Sequence, residues 1–236
     1  MLLEAMSATS PQRREYVRFA FYKVSPAWHE MAGEARAAAV AEVESLVARY
    51  AEGMMVRTYS TVGMRADTDL CFWTASHELS SVQDFARDFG ATALGRIAAN
   101  THSFLSMTKR STYLDDHVHP GQERLHIKPS KARYVFVYPF VKTRQWYLLP
   151  KAERQRVMDE HIAIGHRYPS VKINTTYSFG LDDQDFVVAF ETNEPADFLD
   201  LVQDLRETEG SVYTVRDTPI FTCVNKPVAE VAADLG

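Results

Sequence analysis

The chain has 236 residues, 46% of them hydrophobic and 24% charged, with a formal net charge of -5. That balance fits a soluble globular protein with a substantial core, and the acidic charge excludes a general binder of nucleic acid or of membrane surfaces. No apolar run reaches the ~20 residues that cross a bilayer, and MLLEAMSATSPQRREY lacks a basic segment followed by a long apolar stretch, so no secretory signal is expected. Cys71 and Cys223 lie far apart in strand-like segments. Neither a disulfide framework nor a cysteine metal site is expected, and a cytoplasmic location is.

The first element in chain order is a strand, YVRFAFY, followed by a loop and a long helix that ends near Tyr50. A strand of alternating polarity follows, MMVRTYST, then a turn with Gly, an apolar strand, DLCFWTA, a second helix and a closing strand, HSFLSMTK. The polar segment 110–132, RSTYLDDHVHPGQERLHIKPSKA, reads as a linker. After it the series recurs: YVFVYPF, a loop, a helix starting at a Pro, VKINTTYS, DFVVAFE, a helix and PIFTCVN. The tail after Asn225 is expected to be peripheral.

The recurrence is a duplication. Tyr16–Tyr50 aligns without a gap on Tyr134–Tyr168 at a spacing of 118, pairing Trp28 with Trp146, Arg36 with Arg154 and Tyr50 with Tyr168; the match continues at about 117 in approximate register. A βαββαβ order is that of a ferredoxin-like unit. Its helices cover one face of an antiparallel sheet, and two such sheets can bury their other faces against each other. The expected fold is α+β: two ferredoxin-like βαββαβ repeats forming a dimeric α+β barrel-type domain. The expected boundaries are 10–109 for the first repeat, 110–132 for the linker and 133–226 for the second repeat.

A duplicated fold is its own control. Trp28 and Trp146 match, so both read mainly as packing. His161 meets Val43, and Tyr147 meets His29. A buried neutral histidine is the ordinary explanation for His161, but the valine at the matching place shows that the fold does not call for imidazole. No cysteine, and no His or carboxylate at i+3 or i+4, completes a zinc set on that face. A lone helical His facing a cavity suits a haem-type iron, whose other ligands come from the macrocycle.

With these residues on view, the chain resembles the chlorite dismutase-like superfamily, and within it the coproheme decarboxylase branch. The resemblance covers nearly the whole chain and is densest over YVFVYPFVKTRQWYLLPKAERQRVMDEH and GLDDQDFVVAFET. It implies a homopentamer that binds an iron porphyrin in the second repeat, with His161 of MDEH as the axial ligand. Chlorite dismutases carry a distal Arg where VKINTTYSFGLDD places Ile173, and a Trp-Trp pair where WYLLPK has Trp146 and Tyr147 with Lys151 four residues on. An aliphatic residue at 173 resembles the actinobacterial-type decarboxylases, which use a distal His. His126 of RLHIKP is the candidate, with His117 and His119 as alternatives. Arg133, Tyr113 and Arg216 stand where family members anchor propionates, and Glu209 is placed to orient the outer nitrogen of His161.

The resemblance implies conversion of iron coproporphyrin III (coproheme) to haem b, with loss of two carboxyl groups as carbon dioxide and hydrogen peroxide as oxidant. A distal base accepts peroxide's first proton. Tyr147 gives up an electron and a proton, then takes hydrogen from the propionate β-carbon. Lys151 binds the reacting carboxylate. The alternatives are chlorite breakdown on the same scaffold, a non-catalytic haem binder, and a porphyrin-free barrel in which His161 is only core.

Overall fold

The computed structural model describes residues 13–111, 113 and 125–236. The first repeat runs β1 (Tyr16–Val24), α1 (Ala27–Glu30), α2 (Gly33–Ala51), β2 (Met55–Ser60), β3 (Leu70–Ser76), α3 (Leu79–Ala91) and β4 (Ala98–Met107). The second runs β5 (Tyr134–Lys142), α4 (Arg144–Leu148), α5 (Lys151–Gly165), β6 (Lys172–Tyr177), β7 (Phe186–Thr192), α6 (Pro195–Arg206), β8 (Thr214–Arg216) and β9 (Phe221–Asn225), and α7 (Val228–Asp234) follows. Short 3-10 turns lie at Gly95–Ile97 and Glu209–Tyr213.

The start of β5 lies 118 residues after that of β1, and α5 starts 118 after α2. The offset falls to 117 between β2 and β6 and to 116 between β3 and β7. Local chemistry explains several boundaries. Pro150 precedes α5, and Pro195 opens α6, where a missing N–H leaves no helical bond unmade. Gly63 and Gly180, 117 apart, take φ of 76° and 73°, a left-handed turn conformation open to glycine. The segment expected as a loop ahead of each long helix contains a short helix instead. In the second repeat Thr143 caps it by accepting from the Trp146 N–H at 3.3 Å. Pro150 then keeps α4 from running into α5.

The strands form one sheet in the order β7-β6-β4-β1-β3-β2-β9-β5, with β8 beyond β5, and β5 pairs back onto β7 along its length. The sheet is therefore closed. The repeats join at Met107↔Tyr177 on one seam and at Tyr59↔Asn225 and Ser60↔Val224 on the other. Inside lies a core drawn from both repeats, including Phe19, Phe21, Trp73, Val135, Val137, Val187 and Phe221. Cys71 and Cys223 are buried in it as free thiols. Outside, each repeat's helices cover its own sheet face. The α+β barrel of two ferredoxin-like repeats is as expected.

The repeats share polar details too. Tyr50 on α2 donates to Asp88 on α3 at 2.8 Å, and Tyr168, just past α5, donates to Asp204 on α6 at 2.9 Å. One expectation fails: the tail after Asn225 is not peripheral. Helix α7 packs Val228, Val231 and Ala232 into the first repeat's outer core, against α2 and β2. That helix follows the second repeat in sequence but completes the first in space.

Candidate active site

Helix α7 shows what a ferredoxin-like repeat does with the strip between its long helix and its second strand. In the first repeat that strip is covered. Thr58 and Ser60 of β2 are buried, and the Thr58 hydroxyl donates to the Lys226 carbonyl at 2.6 Å. In the second repeat, among the described residues, no helix lies between α5 and β6. Ile173 and Tyr177 stay half-buried and Thr175 is exposed. His161 is half-buried on α5 beside this trough. Ile173 packs with Phe136, Phe190 and Ile164, so the trough has an apolar wall and no guanidinium at that position.

Burial, and then the nearby charge of Lys142, push the His161 pKa down to about 4. The ring is therefore neutral at physiological pH and keeps a lone pair for a metal ion. Lys142 ends β5 with its ammonium donating to the Gly210 carbonyl at 2.8 Å, over the rings of Trp146 (4.8 Å) and Phe140 (5.3 Å). Burial lowers its pKa to about 8. The counterpart of Lys142 in the first repeat is the buried Val24. The comparison that singles out His161 against Val43 thus also singles out Lys142, which the sequence reading missed.

Tyr147 donates to Asp185 Oδ2 at 2.7 Å, and its ring meets Phe179 edge-on at 5.6 Å. Burial first, and then this hydrogen bond, hold the phenol well above its usual pKa. The carboxylate belongs to the fold. Asp185 Oδ2 also accepts from the Lys142 N–H at 2.8 Å, as Asp69 Oδ2 does from the Val24 N–H at 2.9 Å in the first repeat. What is special to the second repeat is the phenol hooked to it; Asp69 is met instead by Lys23 at 2.7 Å.

The other expected residues divide. Trp146 is buried between Tyr113 (6.3 Å) and Tyr213 (5.4 Å), so Trp146, Tyr113, Tyr147 and Lys142 form one cluster at the end of β5. Lys151 is exposed in the first turn of α5, and Arg216 is exposed on β8 opposite Val141, at the same end of β5. Arg133 lies at the other end of β5, over the Tyr134 ring at 5.3 Å, in a cleft of about 310 Å³ shared with Ser60, Met64, Lys226 and Asp234. Glu209 does not face His161: both its oxygens accept from Arg156 at 2.8 Å. The His126 ring is engaged by Glu15 and His77 rather than by the Tyr147 cluster. His117 and His119 lie outside the described residues.

The fold and this site define a class: a duplicated ferredoxin-like barrel whose second repeat sets a neutral helical imidazole beside an apolar trough that no helix covers among the described residues. A sequence model described as chlorite dismutase matches residues 36–226, and the chain belongs to that family. It is 33% identical over 226 residues to the coproheme decarboxylase of Mycolicibacterium smegmatis, covering 93% of this chain and 94% of that one. It is 29% identical over 206 residues to the chlorite dismutase of Ideonella dechloratans, covering 85% and 72%. Among solved structures, the imidazole complex of chlorite dismutase from Candidatus Nitrospira defluvii superposes with a TM-score of 0.85 at 29% identity over 93% of this chain and 94% of that one. A haem-binding protein from Thermus thermophilus does so at 0.84 and 26%, over 94% and 95%.

Proposed function

We propose that this protein is a coproheme decarboxylase that converts coproheme to haem b with hydrogen peroxide. The observation that carries the reading is the Tyr147 hydroxyl held at 2.7 Å on Asp185, where the first repeat has only His29 and where chlorite dismutases resemble tryptophan. The 33% identity to an enzyme of that activity supports it.

The residues fit an iron porphyrin. His161 offers a neutral nitrogen from a helix, and the face carrying Ile173, Phe190 and Tyr177 offers an apolar wall for a flat macrocycle. The bound group supplies a redox-active iron at which peroxide is reduced. The protein's part is placement and proton handling. Asp185 is positioned to accept the phenolic proton as Tyr147 loses an electron. The neutral tyrosyl oxygen then forms an O–H bond with hydrogen from the propionate β-carbon. The substrate gives up a second electron, its carbon–carboxyl bond breaks, and carbon dioxide and a vinyl group remain. The electrons end on peroxide, one molecule per propionate. Lys151 and Arg216, with Tyr113, hold propionates at one end of β5, whereas Arg133 stands roughly 25 Å away along the strand, in the other cleft; charge-assisted bonds from cations are needed because the propionates are anionic. The base for peroxide's first proton is assigned to a linker imidazole.

A homopentamer is part of the proposal. The exposed Leu148, Val212 and Val215 on α4, the turn Glu209–Tyr213 and β8, neighbouring elements that touch through Trp146 and Tyr213, support a contact between copies; the number five rests on the resemblance. The decisive experiment loads the protein with coproheme, titrates it with peroxide and weighs the porphyrin by mass spectrometry. Stepwise loss of two carboxyl groups is expected. Bleaching without decarboxylation sinks the proposal.

A further inference from the structure

Glu15, His77 and His126 come from three separate segments: the residue before β1, the residue after β3 and the end of the linker. One ligand atom from each lies within 4.8 Å of the other two. We propose that these residues form a second metal site, for a divalent ion of the zinc class, which clips the linker to the first repeat.

The Glu15–His126 spacing suits a shared ion better than a simple hydrogen bond. His126 Nδ1 stands 3.4 Å from Glu15 Oε1. An imidazole–carboxylate hydrogen bond closes to ~2.8 Å, whereas two donors on one tetrahedral zinc stand roughly 3.4 Å apart, given metal bonds of ~2.1 Å. The two histidine rings are edge to face at 5.2 Å, close enough for both to reach one ion.

The outer contacts are those of a ligand set. His77 Nδ1 lies 2.9 Å from the Arg14 carbonyl, which can only accept, so this nitrogen carries the proton and Nε2 keeps the lone pair. Metal-bound histidines are oriented this way, by giving their other N–H to a carbonyl or carboxylate. Glu15 Oε2 accepts from the Ile127 N–H at 2.6 Å, which fixes the carboxylate and leaves Oε1 for the ion. The Glu15 side chain is 14% exposed and that of His126 51%, so one side is shielded and the other is open to a water as fourth ligand.

Two imidazoles and a carboxylate suit zinc, cobalt or iron(II) over magnesium or calcium, which take oxygen sets. The clip holds the linker where the Leu125 carbonyl already accepts from the Thr108 hydroxyl at 2.8 Å. It also commits His126 to the ion, which leaves peroxide's proton to His117 or His119.

The test uses porphyrin-free full-length protein and cobalt(II) alone, since tetrahedral cobalt absorbs visibly where zinc is silent. One equivalent is expected to give the intense visible band of a tetrahedral nitrogen–oxygen set, to be displaced by zinc and to raise Tm. His77→Gln and Glu15→Gln are each expected to remove the band and to weaken binding at least tenfold. Both are expected to melt like the metal-free parent; Gln at 15 retains a carbonyl for the Ile127 N–H. Absence of the band in the parent, or its persistence in both variants, overturns the site.

Discussion

A valine exchanged for an imidazole in a helix core makes stability depend on pH. The folded His161 has a pKa of about 4 against 6.5 for an ordinary histidine. Between these values the unfolded chain binds a proton that the folded chain refuses. Stability is therefore fully present above pH 6.5 and is lost as pH falls toward 4. The shift corresponds to about 3 kcal/mol. His161→Val, which restores the first repeat's arrangement, is expected to flatten this acid limb and to abolish the axial-ligand spectrum of bound coproheme. Urea denaturation across pH, with Soret spectroscopy, checks both; an unchanged Soret band refutes His161 as the ligand. Tyr147 makes the complementary case. Tyr147→Phe removes one oxygen, and Asp185→Asn removes the carboxylate that accepts from it. Both are expected to bind coproheme within about twofold of the parent. Tyr147→Phe is expected to yield almost no vinyl product, and Asp185→Asn to lower the decarboxylation rate at least tenfold. Normal product from Tyr147→Phe, measured per bound porphyrin, moves the radical elsewhere, with Tyr113 next to test.

At the scale of elements, α7 and the trough are two answers to one problem: each repeat must cover the strip between its long helix and its second strand. The first repeat uses Val228, Val231 and Ala232 of α7. Val231→Ala is expected to cost about 1–2 kcal/mol in denaturant, from lost burial and a residual cavity, with the coproheme spectrum unchanged. A shifted Soret band in that variant would show that the first repeat's core reaches the site. The duplication and the strand and helix order were legible in the sequence, and the same comparison of one half with the other is what singles out His161 and Tyr147 for the proposed site. Lys142 was legible by the same comparison with Val24, and was missed because a lysine ending a strand usually reads as solvated. The role of α7 was not legible. Among the described residues it has no counterpart at the end of the first repeat, and its partners α2 and β2 lie far away in sequence. Asp185 was hidden for a different reason: aspartate stands at both matching positions, so comparing the halves shows a fold residue and not the extra phenol. His126 was drawn toward the distal role by linker context, whereas the start of β1 and the end of β3 decide where its ring sits.

At the scale of the whole molecule, the barrel's inner core belongs to neither repeat alone. Val135, Val137, Val187, Ala189, Phe221 and Cys223 from the second repeat meet Val17, Phe19, Phe21, Tyr59, Cys71 and Trp73 from the first. Separated, each repeat would expose one apolar sheet face and two strand edges, β4 and β2 on one side and β6 and β9 on the other. The repeats are therefore expected to unfold together, although each has its own outer core. Calorimetry of the porphyrin-free protein should show one transition whose calorimetric and van't Hoff enthalpies agree. Trp73→Ala supplies the sharper test. Trp73 is fully buried in the shared core, stacked on Phe19 at 4.9 Å, and its loss is expected to cost about 3–5 kcal/mol. If the halves are coupled, the variant's single transition moves down as a whole, and hydrogen exchange in β5 and β7 accelerates as much as in β1 and β3. A variant in which β1 and β3 exchange faster while β5 and β7 stay protected would show two independent folding units, and the cooperative barrel would be wrong.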